Sequence, residues 1–133
     1  MPDETRIPVR HDADIVTARH EGREAAARIG FSGSDLTLIA TAISEVARNI
    51  VAYGVEGEIV IGVVQNGERL GLEVVAQDSG PGIPNTVLAL QDGYSTSRSL
   101  GLGLPGARRL MDEFELTSEV GRGTTVRMRK WRR

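Results

Sequence analysis

Two glycine clusters frame a polar segment in the second half of the chain. The first reads Asp78-Ser79-Gly80-Pro81-Gly82-Ile83 and the second Gly101-Leu102-Gly103-Leu104-Pro105-Gly106. Between them lies Asp92-Gly93-Tyr94-Ser95-Thr96-Ser97-Arg98-Ser99. Glycine lets the backbone approach a ligand closely and take positive φ. Two such clusters around a polar loop suggest a lidded phosphate site, with plain turns as the alternative. Upstream, Glu45 and Asn49 stand one helical turn apart. Together these residues offer a carboxylate base, an amide oxygen for a hard cation, a second carboxylate as hydrogen-bond acceptor and backbone N–H groups for phosphate.

The elements that must position them can be read in order. Thr5 to Arg10 is a short edge strand with Ile7 and Val9 on one face and Pro8 keeping it off the sheet interior. Asp12 or Asp14 can cap a helix whose stripe is Ile15, Ala18, Gly22, Ala25, Ala26 and Ile29, with Gly30 as its stop. The small residues in that stripe imply close packing. Ser34 can cap a second helix from Asp35 to Tyr53, ended by Gly54 and Gly57. Its apolar residues are Leu36, Leu38, Ile39, Ala42, Ile43, Val46, Ala47, Ile50 and Val51, while Thr37, Thr41, Ser44 and Arg48 fill the opposite side. Glu45 and Asn49 fall on the margin of the apolar arc, where polar groups need partners. A boundary pair satisfied by water or backbone is the bland alternative.

Glu58 to Gln65 and Arg69 to Gln77 are β-branched apolar runs around Asn66-Gly67, a strong hairpin signal. The second run delivers Asp78 at the strand exit, facing the first glycine cluster. Pro84 to Leu90 reads as a short helical turn. A third helix starts near Gly103 with Pro105 in its first turn and a stripe of Leu104, Ala107, Leu110, Met111 and Phe114. Leu116 to Val120 and Thr124 to Lys130 form a closing hairpin around Gly121-Arg122-Gly123. Hairpin strands with helices not interleaved at every step predict an α/β sandwich of two layers, a mixed and mainly antiparallel sheet with three main helices on one face. The tail cations Arg127, Arg129, Lys130, Arg132 and Arg133 read as a solvated strand face, or as a docking patch for an acidic partner.

At 133 residues the chain is the size of one domain, 1–133. A net charge of -2 gives no field that calls for nucleic acid or a membrane surface. No run of transmembrane length and no signal peptide is evident, so a cytoplasmic location is expected. The absence of cysteine removes disulfides, thiol nucleophiles and cysteine zinc sites, and two histidines, His11 and His20, do not make a metal pair.

Glu45-Val46-Ala47-Arg48-Asn49 resembles the N box of the GHKL ATPase/kinase superfamily. Asp78-Ser79-Gly80-Pro81-Gly82-Ile83 resembles its G1 box, Gly101-Leu102-Gly103-Leu104 its G2 box, and Gly121-Arg122-Gly123-Thr124-Thr125 its last Gly-Thr motif. The four occur in the family's order across essentially the whole chain. The resemblance implies the Bergerat fold, with ATP and Mg²⁺ as cofactors. It implies that Asp78 binds adenine, that Thr124 helps hold that end, that Asn49 binds Mg²⁺ and that Glu45 is the catalytic base. It further implies nucleotide contacts by Gly80, Gly82, Ile83, Ser97, Gly101, Leu102, Gly103 and Leu104, with residues 83 to 100 as the ATP lid. Arg98 lies where anti-sigma kinases carry an arginine on the γ-phosphate, but one residue farther from the glycine, so a solvated lid arginine is the alternative.

The short chain lacks a preceding phosphoacceptor helix and a following transducer domain, so the expected branch is the small serine kinases of bacterial partner switching. Thr41-Ala42-Ile43-Ser44-Glu45, the Asp92 to Ser97 segment and Leu104-Pro105-Gly106 through Phe114 are most similar to the RsbT type. Such kinases phosphorylate Ser or Thr on a STAS-domain scaffold (RsbS/RsbR-like). When released, they activate a PP2C-type phosphatase by binding its regulatory domain (RsbU-like). Two other readings stay open: an anti-sigma factor kinase of the RsbW/SpoIIAB type that binds a sigma factor directly, and a nucleotide-dependent interaction module without turnover. The intact Glu45/Asn49 pair argues against the last.

Overall fold

A computed structural model describes residues 4–53, 55–82 and 103–132. Five strands, β1 (Thr5–Val9), β2 (Gly57–Asn66), β3 (Arg69–Asp78), β4 (Glu113–Glu119) and β5 (Gly123–Trp131), form one sheet in the order β1-β2-β3-β5-β4. Every ladder among them is antiparallel, so the expectation of a mixed sheet is corrected. Each connection is either a hairpin or a return through helix, and neither route leaves two neighbouring strands parallel. Asn66 pairs with Arg69, which makes Gly67-Glu68 the two-residue hairpin loop, one residue later than Asn66-Gly67.

Three helices, α1 (Asp12–Arg28), α2 (Ser34–Tyr53) and α3 (Gly103–Leu110), cover one face of this sheet. Ile7 and Val9 of β1, Ile59 and Ile61 of β2, Leu72, Val74 and Ala76 of β3, and Val126 and Met128 of β5 face them and are buried. The period of two along each strand produces this row. The small stripe of α1 packs closely: a Cβ added to Gly22 would collide with the end of Ile43 on α2.

α2 differs from its expected pattern. Ala47 is buried with Ile39, Ile43 and Ile50 as expected, yet Ser44, which was set on the opposite side, is buried too, as is Ala40. The reason is position, because α2 lies between α1 and α3 with the sheet beneath it. Ser44 reconciles its hydroxyl with this by donating to the Ala40 carbonyl at 2.9 Å. α2 also corrects the expectation that no run reaches transmembrane length: its 20 residues are long and apolar enough to cross a membrane by length and composition alone. Half of its apolar stretch is buried inside the fold, as suits a central core helix.

The ends of the helices show local chemistry that the sequence indicated only in part. His11, not Asp12 or Asp14, occupies the N-cap of α1. Asp14 instead reaches back, accepting from the N–H groups of Arg10 at 2.8 Å and His11 at 3.0 Å. Those donors hold its carboxyl below the usual range. At the other end, Gly30 (φ 103°) donates to Ala27 and Phe31 donates to Ala26, a Schellman closure. Gly57 opens β2 and does not end α2, and α3 stops at Leu110, so Phe114 belongs to β4.

The cations of the C-terminal strand are taken up within the fold. Arg129 lies 2.8 Å from Glu73, and Arg127 reaches Glu73 and Glu115. Lys130 donates to the Leu110 carbonyl at the end of α3, and Arg132 to the Ile29 carbonyl at the end of α1. A cation at a helix C-terminus is favoured by the exposed carbonyls there. The solvated strand face expected of these cations is thus partly replaced by pairing within the fold.

Gly123 fixes where the sheet ends. Its φ is 111°, and an added Cβ would run into the Asp78 carbonyl oxygen on the neighbouring strand. Gly123→Ala combines backbone strain with a backbone clash, each of order 1–3 kcal/mol. A lowered denaturation midpoint is expected and, on the reading of Asp78 as an adenine ligand, weakened nucleotide binding, because the displaced backbone is that of Asp78. An alanine variant of unchanged stability and nucleotide affinity would contradict this.

Candidate functional site

The buried row of β3 runs Leu72, Val74, Ala76, and Asp78 continues it where the strand leaves the core. Its neighbour across the ladder is Thr124, at the start of β5. The Asp78 carboxylate accepts from the Gly80 N–H at 2.9 Å and also from the Thr124 backbone N–H. Burial raises its pKa, and the two N–H donors act in the opposite direction. The Thr124 hydroxyl is buried and lies 2.9 Å from the Ser118 hydroxyl on β4. Asp78 and Thr124, which the sequence places 46 residues apart, thus meet at one end of the sheet.

The loop after Asp78 is held from both sides. Ser79 donates its N–H to the Glu56 carbonyl at 3.2 Å, and the Pro81 carbonyl accepts from the Gly121 N–H at 2.8 Å. Gly82 has φ 82° and lies against Glu119 and Val120 of the β4–β5 turn. The first glycine cluster is therefore a built loop between two neighbours.

On the helix layer, Glu45 is buried in α2 yet has a partner for each oxygen. Oε1 accepts from the Gly103 N–H at 3.0 Å, and Oε2 from Arg48 at 2.8 Å. Gly103 is the first residue of α3. Among the described residues the buried polar side chains are Ser44, Glu45 and Thr124, and two of the three are site residues named from sequence. Asn49 follows one turn later and is half-buried. Its amide oxygen is a hard donor of the kind Mg²⁺ takes alongside phosphate and water oxygens, so the residue type fits a site with few protein ligands. Leu104 is buried under the start of α3.

The structure thus places Glu45, Asn49, Asp78, Gly80, Gly82, Gly103, Leu104 and Thr124. Ile83, Ser97, Arg98, Gly101 and Leu102, the lid and the Pro84–Leu90 turn lie outside the described residues. Sequence reasoning missed Arg48, which it set on the solvent side of α2. The signal was present in the i,i+3 spacing from Glu45, at which opposite charges meet on a helix.

The chain matches a family model described as the histidine kinase-like ATPase domain over residues 8–130. It belongs to that family. It is 47% identical to the serine/threonine-protein kinase RsbT of Bacillus subtilis (strain 168) over 133 residues, covering the whole of both chains. It is 32% identical over 112 residues to the anti-sigma F factor of Thermoanaerobacter sp. (strain X514), covering 80% of this chain and 77% of that one. Among solved structures, the RsbU and RsbW domains of a Mycobacterium tuberculosis protein superpose with a TM-score of 0.64 at 26% identity, covering all of this chain and 33% of that one. The fold and the activity class are those expected from sequence: a GHKL-type, ATP-using serine/threonine protein kinase of the partner-switching kind.

Proposed function

We propose that this kinase phosphorylates a Ser or Thr of a STAS-domain antagonist or scaffold and, when released, activates a PP2C-type phosphatase by binding its regulatory domain. Glu45 acts as the general base toward the acceptor hydroxyl. Asp78 and Thr124 hold the adenine end of ATP, and Asn49 ligates Mg²⁺, which links the phosphates to the protein. The observation that carries this reading is the Glu45–Gly103 hydrogen bond, which joins the carboxylate of α2 to the helix start within the second glycine cluster. A base and a phosphate-binding helix start must be neighbours for transfer from the γ-phosphate. Full-length likeness to the serine/threonine-protein kinase RsbT supports the kinase activity, and likeness to a solved protein that carries RsbU and RsbW domains supports partners of that kind.

The direct test is transfer of labelled phosphate from ATP and Mg²⁺ to a candidate STAS domain, followed by assay of PP2C phosphatase activation by the kinase. No transfer to any STAS partner, with tight capture of a sigma factor instead, would favour the anti-sigma reading that the 32% relative keeps open.

Asn49 acts through the metal on this reading. Asn49→Ala is expected to raise the Mg²⁺ concentration needed for half-maximal transfer while leaving affinity for metal-free nucleotide nearly unchanged. A Mg²⁺ titration that overlays the unmodified chain would reduce Asn49 to a helix-boundary amide.

A further inference from the structure

We infer that Arg48 is a positioning residue for the phosphoryl-transfer step, acting through Glu45; this rests on the reading of Glu45 as the base. Glu45 is nine-tenths buried at the side chain, and its two oxygens have different duties. Oε2 is taken by the Arg48 guanidinium at 2.8 Å, and Oε1 points at the start of α3, 3.0 Å from the Gly103 N–H. Arg48 is itself only one-third exposed, so the pair is screened on one side alone. A long carboxylate side chain has several staggered rotamers. The contact with Arg48 selects the one that turns Oε1 toward the phosphate-binding end of the site.

Without Arg48, Oε2 would be left buried and unpartnered, a costly state that rotation of the side chain relieves. The base would then leave its working position while the nucleotide contacts at Asp78 and Thr124, on the sheet layer, stay in place. Misplacement of a reacting group by about 1 Å can cost as much as 10²-fold in rate. Arg48 needs no contact with ATP or with the acceptor hydroxyl to have this effect.

The experiment is a double-mutant cycle on single-turnover transfer at saturating ATP, with the intact chain and a STAS-domain substrate. Arg48→Met keeps the apolar stem and removes the charge. It is expected to slow transfer about 10- to 100-fold with little change in ATP affinity. Arg48→Lys, which restores a cation at the same point but not the planar fork, is expected to recover part of that loss. In the Glu45→Gln background, Arg48→Met is expected to change the rate by less than about twofold, since residues that act as one unit are non-additive. A loss from Arg48→Met that is the same in both backgrounds, while Glu45→Gln is itself slow, would overturn the positioning role alone. It would assign Arg48 a direct contact or a purely structural effect. A Glu45→Gln protein with an unchanged rate would overturn the base reading, and this proposal with it. Unchanged transfer by Arg48→Met would overturn the proposal outright.

Discussion

Glu45→Gln is expected to transfer phosphate to its protein substrate at least about 100-fold more slowly than the unmodified chain, since a positioned base supplies roughly 10²- to 10⁴-fold. Glutamine keeps the length and shape of the side chain and removes the group that accepts a proton. One of its amide hydrogens must now face either the Gly103 N–H or Arg48, both of which are donors. A modest loss of stability is therefore expected alongside the loss of rate, and thermal unfolding must accompany the kinetics. Glu45→Ala removes both contacts and is the weaker probe for that reason. Much of phosphoryl transfer rests on positioning and charge stabilisation, so a residual rate should remain. Activation of the phosphatase, which would rest on binding, is expected to survive in Glu45→Gln. The measurement is single-turnover transfer at saturating ATP. A variant with the unmodified rate would make the carboxylate a tie between α2 and α3 and nothing more.

That outcome has a structural basis worth weighing, because the same two hydrogen bonds serve both roles. A carboxylate fixed at both oxygens is well placed as a base only if the N–H contact at Gly103 shares the oxygen or yields when nucleotide and substrate arrive. Glu45 was legible in sequence as a polar residue on the margin of an apolar helix face. The identity of its partners was not, because Gly103 lies 58 residues away and only the packing of α3 against α2 brings it there. Asp78 was more legible, since a β-branched run followed by a glycine cluster fixes both its place at the strand end and the conformation after it. Thr124 came from the family resemblance, and its position opposite Asp78 depends on the pairing of β3 with β5, which no local pattern encodes. The helix pattern misplaced Ser44 and Arg48 for one reason. A helical wheel separates one buried face from one wet face, whereas α2 is enclosed on three sides. Phe114 was misassigned because an apolar residue at helical spacing after Met111 also begins the alternating pattern of β4.

Asp78→Asn is expected to weaken ATP binding roughly 10- to 100-fold. A hydrogen bond to a charged acceptor is worth about 1.5–3 kcal/mol, and each 1.4 kcal/mol is a factor of ten. The adenine amine is a donor, so a carboxylate is a matched acceptor and the asparagine amide group opposes it. The fold should tolerate the change. Asparagine retains an oxygen that can accept from the Gly80 N–H, the contact that shapes the turn after β3. Charge also works in the variant's favour. Burial raises the Asp78 pKa, so ionisation is disfavoured in the folded chain. The penalty is complete at pH above the raised pKa and fades as pH falls from there to the ordinary carboxylate value; a neutral amide avoids it. ATP affinity should follow the opposite course in the unmodified chain, falling as acidification through that raised pKa protonates the acceptor. Asp78→Asn should show no such acid loss. Calorimetric titration of both proteins with an ATP analogue, repeated from neutral pH down toward the carboxylate range, reads both effects at once. Equal affinities at neutral pH would remove Asp78 from the adenine site. Unequal affinities with parallel pH profiles would keep it there but assign the acid sensitivity to another group.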